Sequence, residues 1–226
     1  MALESVLLIR HARSIANDDA NVYKQMPDHK IPLAHPEDDA SALALGVRLR
    51  GLGLDPARVC AWSSTYVRCL QTRELVLGAC FGEAAAGIAR RESFLLREQE
   101  FGDWDGMDEP QMERFDPVRY EKRRRMSDHQ GRFYFRYPCG ESRADVVERC
   151  ALLVGKLQRS RYQQPLIFLH GVSQRALRMA WFNHPVEWFE SEPNPRNCEA
   201  VRFVREAAPE KDRWREELIG HPAPQR

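Results

Sequence analysis

The sequence predicts an α/β fold, a layered α/β/α sandwich around a mostly parallel sheet. Short continuous apolar runs recur along the chain, as expected of strands that are covered on both faces. Amphipathic stretches at helical spacing separate these runs, and such alternation of strand and helix is typical of layered sheets. The chain has 226 residues, of which 43% are hydrophobic and 30% charged, so we expect one globular domain over residues 1–226 with a full core.

Four apolar runs predict the strands. The clearest is Leu166–Leu169, and Pro165 precedes it at a position where a missing N–H does least harm to a strand. The first strand is predicted at Ser5–Ile9 because its apolar residues are continuous rather than alternating. Weaker runs at Val59–Trp62 and Ala200–Val204 complete the set.

Four amphipathic stretches predict the helices, and a fifth region departs from the pattern. The segment from Phe101 to Tyr137 is rich in charged and aromatic residues and shows no clear strand. We therefore expect a partly helical insertion at about 101–140, over the C-terminal edge of the strands. The predicted helices run from the N-cap Asp39 to about Gly51, from about Tyr66 to Leu77, from the capping box Ser142–Asp145 through an apolar stripe ending at Leu157, and from Val172 to about Trp181.

Composition excludes several classes of function. With 34 Lys and Arg against 33 Asp and Glu, the net charge is +1, which gives no electrostatic basis for nucleic acid or an anionic membrane as the main partner. No apolar run approaches the roughly 18 residues of a membrane span, and the N-terminus lacks the features of a signal peptide. The six cysteines form no C-x-x-C pair, so neither a zinc site nor a thioredoxin-like motif is indicated, and we expect a cytoplasmic protein.

Three predicted strands each end in polar residues suited to phosphate chemistry. The first runs into Arg10 and His11, and the strongest runs into His170. The second runs into a serine pair, Ser63–Ser64, with Arg68 just inside the helix that follows. Since ligands of open α/β sheets bind outside the carboxyl ends of the strands, these side chains are predicted to share one site.

These residue types fit the transfer of a phosphoryl group. Arginine offers a planar, permanently charged fork to phosphate oxygens, and a neutral imidazole can attack phosphorus to form a covalent intermediate. A second histidine, if protonated, can donate to the oxygens in the transition state, and a carboxylic acid must protonate the leaving oxygen. Spacing alone does not choose the acid among Glu98, Glu100 and Asp103.

Five segments, taken together and in order, resemble the motifs of the histidine phosphatase superfamily, in its phosphoglycerate-mutase-like branch. The first contains the Arg-His pair, the second contains the serine pair, an arginine and Gln-Thr, and the third bears the acid. A Gly-Glu-Ser before a helix and a final His-Gly complete the set. The segments are Leu8–Asn17, Ser63–Thr72, Leu96–Asp103, Gly140–Ser142 and Leu169–Gly171.

The resemblance implies a role for each matched residue. His11 corresponds to the phosphorylated nucleophile, and Glu98 corresponds to the proton donor, which selects it among the three carboxylates. Ser14 and Asn17 match positions that face substrate or phosphate, although capping of the following helix would explain these residue types as well. The family uses no metal and no cofactor is expected; since members are often dimers, a homodimer is a possible assembly. The residues implied to line the phosphate pocket are Arg10, Arg68 and His170.

Departures from the family pattern favour a phosphatase that acts on a small phosphorylated substrate. Mutases carry basic residues after the acid, whereas this chain has Gln99 there and Glu109 in place of a lysine. The alternatives are a phosphoglycerate mutase or bisphosphate phosphatase, for which only the basic run around Arg123 offers a second anion site, and a non-enzymatic phospholigand-binding protein. Ala12, where the family usually has glycine, is the one motif change that would fit the non-enzymatic alternative. Segments 21–33 and 134–138 resemble phosphoglycerate-mutase-like proteins of plants and microbes, which leaves the natural substrate open.

Overall fold

The computed structural model describes residues 2–206 and 213–219, and these form a mixed α/β structure around a six-stranded sheet. The strands are β1 (Ser5–Arg10), β2 (Cys60–Ser63), β3 (Ala89–Glu92), β4 (Leu166–Leu169), β5 (Ala200–Glu206) and β6 (Arg213–Leu218). The helices of the described part are α1 (Ile15–Asp18), α2 (Val22–Gln25), α3 (Ala40–Arg50), α4 (Val67–Phe81), α5 (Glu109–Phe115), α6 (Pro117–Gln130), α7 (Arg143–Gln158), α8 (Gly171–Phe182) and α9 (Val186–Ser191).

The sheet is mostly parallel, as predicted. Its order is β3-β2-β4-β1-β5-β6, in which β4 pairs in parallel with both β1 and β2, and β2 pairs in parallel with β3. Strand β5 is antiparallel to β1, and β6 is antiparallel to β5. The carboxyl ends of the first four strands therefore lie along one edge, which is the edge at which ligands of such sheets bind.

Both faces of the sheet are covered, which explains the continuous apolar strands. Successive side chains of a strand point to opposite faces. Leu8 packs into the core on the side of α7 and α8, whereas Leu7 and Ile9 pack into the core beside α3 and α4. The predicted layered α/β/α sandwich is confirmed.

The helices begin where the sequence places their caps. The Asp39 carboxylate accepts the N–H of Ala42 at 2.9 Å at the start of α3. At the start of α7, Asp145 accepts the backbone N–H of Ser142 at 2.6 Å. Helices α3 and α4 pack closely because Gly46 has no side chain: a Cβ there would lie 2.5 Å from the Cβ of Ala79.

Several elements were absent from the sequence expectations. Strands β3 and β6 are edge strands composed mainly of charged residues, so neither contains an apolar run that would predict a strand. The short helices α1, α2 and α9 are too brief to show a helical period. Helix α4 continues to Phe81, beyond the expected end at Leu77. The sequence also predicts a loose tail from His221 to Arg226, which lies outside the described residues.

The insertion is partly helical, as expected, and has a small core of its own. Helices α5 and α6 enclose Trp104, Met112 and Phe135. The insertion begins at a tight crossing of two backbone segments, where Gly102 adopts a φ of +58° and a Cβ would stand 1.9 Å from the carbonyl oxygen of Pro138. Only glycine fits this position without strain.

Two further observations concern the sequence expectations about cysteine and membranes. All six thiols are free, and only Cys139 is exposed. Among the described residues, no helix combines the length and apolar character that a membrane crossing needs.

Candidate active site

Two histidines meet at the carboxyl edge of the sheet. His11 follows β1 and His170 follows β4, and because these strands are parallel neighbours the two rings lie 5.1 Å apart, edge to face. His11 is 4% exposed and His170 is completely buried. The pair forms the floor of the candidate site.

The hydrogen bonding of His11 defines its tautomer. Nδ1 lies 2.7 Å from the carbonyl oxygen of Ala12, which can only accept, so Nδ1 carries the proton and Nε2 keeps its lone pair. Burial, with the charges of Arg68 and Arg10, holds the pKa of His11 well below 6.5. His11 is therefore a neutral imidazole with an available nucleophilic nitrogen.

His170 is positioned by polar side chains from the second motif. Its Nε2 lies 2.9 Å from the Ser64 hydroxyl and 3.4 Å from the Cys69 thiol. Burial, together with the charges of Arg68 and His11, holds the pKa of His170 well below 6.5. In the substrate-free state His170 is neutral and carries a single ring N–H. The sequence analysis considered a protonated histidine as a donor to the phosphoryl oxygens, and protonation of His170 requires the negative charge of a bound anion.

The two arginines reach the site from different elements. Arg10 ends β1 and donates through Nη1 to the carbonyl oxygen of Pro195, while its Nε is buried and has no partner in the described part of the chain. Arg68, in the first turn of α4, forms a bidentate ion pair with Asp28 and lies 4.9 Å over the ring of Tyr66. Burial lowers the pKa of Arg10, and the charge of Glu98 opposes that effect.

Glu98 is the carboxylate held at the start of the helix that follows His170. It accepts the backbone N–H groups of Val172 at 3.2 Å and Ser173 at 3.3 Å, in the first turn of α8 next to His170. Glu100 is instead held by the Tyr66 hydroxyl at 3.1 Å and by an arginine, and Asp103 is exposed. The geometry thus distinguishes three acids that spacing could not.

The loop that carries Glu98 is fixed by one partly buried arginine. Arg149 donates to the carbonyl oxygens of Leu95 at 2.7 Å, Arg97 at 2.9 Å and Glu98 at 3.0 Å. The same guanidinium pairs with Glu141 of the Gly-Glu-Ser segment at 2.9 Å. This segment therefore acts on the acid indirectly, by holding its loop against α7.

Ser14 and Asn17 contact each other. The Asn17 side-chain oxygen accepts from the backbone N–H of Ser14 at 3.0 Å and lies 3.1 Å from its hydroxyl, which caps α1. The structure thus shows the capping role for both, and their contact with substrate stays a prediction.

Asn197, which the sequence did not single out, donates to the carbonyl oxygens of His11 at 3.1 Å and Ala12 at 3.3 Å.

Thr72 and Asp28 are site residues that the sequence analysis missed. The Thr72 hydroxyl accepts the N–H of Ala12 at 2.9 Å and donates to the carbonyl oxygen of Arg68 at 2.7 Å, so it joins the first two motifs. Its place in the Gln-Thr pair was the available signal. Asp28 lies in the segment whose resemblance to a subgroup was noted, but nothing in its local pattern indicates a partner 40 residues away.

The basic run that the mutase alternative would need as a second anion site is neutralised. Arg123 is buried in the insertion and pairs with Glu109 at 3.2 Å, and Arg132 lies 3.6 Å from the same carboxylate. Arg124 and Arg125 both pair with Glu121. The basic run is thus held by its own carboxylates, and the described residues contain no group of three or more His, Cys, Asp or Glu that could hold a metal ion.

Comparison with known proteins identifies the family. The model of the histidine phosphatase superfamily (branch 1) matches residues 6–217. The chain is 33% identical over 218 residues to phosphoglycerate mutase-like protein AT74H of Arabidopsis thaliana, covering 88% of this chain and 73% of that protein. A second Arabidopsis relative, AT74, is 32% identical over 86% of this chain and 62% of its own length. The yeast broad-range acid phosphatase DET1 of Saccharomyces cerevisiae is 33% identical over 110 residues, which are 45% of this chain and 30% of that protein.

Solved structures share the fold. A putative alpha-ribazole-5'-P phosphatase from Escherichia coli superposes with a TM-score of 0.70 at 18% identity, covering 94% of this chain and 95% of that one. A mycobacterial glucosyl-3-phosphoglycerate phosphatase gives a TM-score of 0.69 at 22% identity, covering 95% and 97%. With the family model matched along nearly the whole sequence, the chain belongs to the histidine phosphatase superfamily (branch 1) and is an enzyme of the phosphatase and phosphoglycerate-mutase-like kind.

Proposed function

We propose that this enzyme is a metal-independent phosphatase that hydrolyses a small phosphomonoester through a phosphohistidine intermediate on His11. The observation that carries the proposal is the Nδ1 contact of His11 with Ala12, which leaves a neutral Nε2 for attack among Arg10, Arg68 and His170. The alanine at position 12 is compatible with this geometry, since it is fully buried and its N–H is bound by Thr72.

The first step transfers the phosphoryl group to the enzyme. The lone pair of His11 Nε2 forms a bond to phosphorus, and the bond from phosphorus to the leaving oxygen breaks. Glu98 gives its proton to that oxygen, so the product leaves as an alcohol. Arg10, Arg68 and His170 donate hydrogen bonds to the phosphoryl oxygens as their charge increases.

The second step returns the enzyme to its starting state. The Glu98 carboxylate takes a proton from water, the water oxygen bonds to phosphorus, and the bond to His11 Nε2 breaks. Inorganic phosphate is released, and both His11 and Glu98 regain their initial protonation. No metal ion is needed in either step, because arginine and histidine supply all the donors.

Hydrolysis is favoured over phosphoryl transfer between two positions of a substrate. A mutase must bind a second anionic group, and the candidate cation for it, Arg123, is paired with Glu109 inside the insertion. The name of the yeast relative, a broad-range acid phosphatase, also supports hydrolysis.

The buried free thiols support a reducing compartment, which we propose is the cytoplasm. A single domain and a homodimer remain part of this proposal.

The test is phosphate release from a panel of phosphomonoesters in EDTA. We expect the wild-type enzyme to release phosphate and His11→Ala to lower the rate by about 10³-fold or more, since the nucleophile is lost. His129→Ala is the matched control, because His129 is exposed at the end of α6 and should leave the rate unchanged. Wild-type rates in His11→Ala, or activity that EDTA abolishes, would refute the proposal.

A further inference from the structure

We infer that Asp28 is a positioning residue that holds one edge of the Arg68 guanidinium, so that the opposite edge is presented to the phosphoryl group. The inference rests on the proposed function, in which Arg68 is a phosphate ligand. Asp28 lies in the segment between α2 and α3, outside the five motifs that indicated the site.

The contacts of Arg68 use one edge of its planar group. Nη1 donates to the backbone oxygen of Asp28 at 2.8 Å and to Oδ1 at 2.7 Å, and Nη2 donates to Oδ2 at 3.3 Å. None of the hydrogen bonds that Arg68 donates to residues 2–206 or 213–219 uses the edge formed by Nε and the second N–H of Nη2. A guanidinium offers two bidentate edges, so the unoccupied one can receive two phosphoryl oxygens.

Burial and stacking hold this orientation. The side chain of Arg68 is 4% exposed and that of Asp28 is 18% exposed, so water competes little for the pair. Arg68 also lies over the ring of Tyr66, which restricts rotation of the guanidinium plane. A long side chain that is ordered before binding avoids the loss of rotamer freedom when the substrate arrives.

Helix α4 carries Arg68 and also anchors the segment that carries Asp28. The Gln71 side chain, one turn after Arg68, accepts the N–H of Leu33 at 2.8 Å, and Ile31 is fully buried. On the other side of the segment, the N–H of Ile15 binds the carbonyl oxygen of Pro32 at 3.2 Å. Asp28 and Arg68 are therefore tied to the same frame, as a positioning contact requires.

A carboxylate suits this role better than a neutral side chain. Burial lowers the pKa of Arg68, and the charge and hydrogen bonds of Asp28 more than offset that effect. Without Asp28 the same cation would keep its charge but lose its fixed direction. The loss should then appear in the transition state more than in the binding of substrate.

The test compares Asp28→Asn and Asp28→Ala with Asp38→Asn, which removes the same charge from an exposed loop position. We expect the two Asp28 variants to lower kcat by about 10- to 100-fold with KM changed by less than about threefold, because misdirected contacts weaken the transition state. Asp38→Asn should match the wild type. Activity of both Asp28 variants within twofold of wild type would overturn the inference.

A double-mutant cycle tests whether Asp28 acts through Arg68. In an Arg68→Ala background, Asp28→Ala should change kcat by less than about twofold, since the group to be positioned is gone. An equal loss in both backgrounds would overturn the inference, because Asp28 would then act independently of Arg68.

Vanadate binding, measured by calorimetry, separates this inference from the proposed function. Vanadate adopts the geometry of the transition state, so Asp28→Asn should weaken it about tenfold while inorganic phosphate changes little. If the wild type hydrolyses no ester but Asp28→Asn still shows this difference, the proposed function fails and the role of Asp28 stands. If the wild type hydrolyses esters and Asp28→Asn binds vanadate as tightly, the inference about Asp28 fails alone.

Discussion

The two buried histidines owe their neutral state to the site that surrounds them. Removal from water is the largest effect on the pKa of each, and the charge of Arg68 adds to it. Positive charge in the substrate-free pocket therefore resides on arginine alone. Protonating either ring would add a further cation to a region of low dielectric, which is unfavourable until a phosphate anion enters.

These histidines make stability dependent on pH. Between its lowered folded-state pKa and the unfolded value of 6.5, each histidine binds fewer protons when folded than when unfolded. The contribution of each histidine to the free energy of unfolding is therefore fully present above pH 6.5. It decreases as the pH is lowered, by at most about 1.4 kcal/mol per pH unit for each histidine.

Urea denaturation between pH 7.5 and 5.5 measures this effect. The slope of stability against pH should become smaller in His170→Gln, which cannot titrate, and should be unchanged in His129→Gln, whose ring is exposed. Equal stability at the two pH values in the wild type would contradict the assignment of two neutral buried histidines.

The loop between β3 and the insertion shows how an irregular element acquires a fixed shape. It bears Glu98 but has no regular hydrogen-bond ladder of its own near that residue. Arg149 of α7 supplies the missing donors to three of its carbonyl oxygens, and Glu141 balances the charge. The position of the acid thus depends on a helix more than 40 residues later in the chain.

Replacing this arginine should destabilise the protein strongly. Arg149→Met leaves the loop carbonyl oxygens and the Glu141 carboxylate without their donor, and we expect a loss of about 3 kcal/mol in the free energy of unfolding. Arg124→Met is the matched control, since Arg124 is 57% exposed and its ion pairs should contribute less than about 1 kcal/mol. Denaturant titration of both variants provides the comparison, and equal losses would show that the Arg149 network is not what fixes the loop.

At the scale of the molecule, the parallel sheet brings distant motifs to one edge. Arg10 and His11 meet His170 there because β1 and β4 are adjacent and point the same way. The insertion has a small core of its own, and Tyr23 of α2 lies against Gly106 at its start. Four of its arginines pair with carboxylates of the insertion itself, namely Arg123, Arg124, Arg125 and Arg132.

This arrangement predicts hydrolysis without interconversion of phosphoglycerates. In a coupled assay with 3-phosphoglycerate, we expect release of inorganic phosphate at most, and no formation of the 2-phosphate isomer. Arg123→Gln should keep its phosphatase rate, because Arg123 is bound to Glu109 and does not contact the phosphate pocket. Interconversion by the wild type, lost in Arg123→Gln, would instead favour the mutase.

Elements with a local physical signal could be predicted from the sequence. Continuous apolar runs identified the strands that are covered on both faces, and cap residues such as Asp39 located helix starts. Strands β3 and β6 could not be predicted, because their charged residues suit an edge exposed to solvent and leave no apolar pattern. The family resemblance, rather than spacing, selected Glu98 from its neighbours.

Local patterns establish the fold class and the residue types available for phosphate chemistry, because burial patterns and strand ends depend on neighbouring residues. The contacts between those residues are visible in the three-dimensional structure alone. The tautomer of His11, the ion pair of Asp28 with Arg68, and the hold of Arg149 on the Glu98 loop all join residues through contacts in space. Such contacts depend on side-chain direction and on the removal of water, and neither property is expressed in the order of residues along the chain.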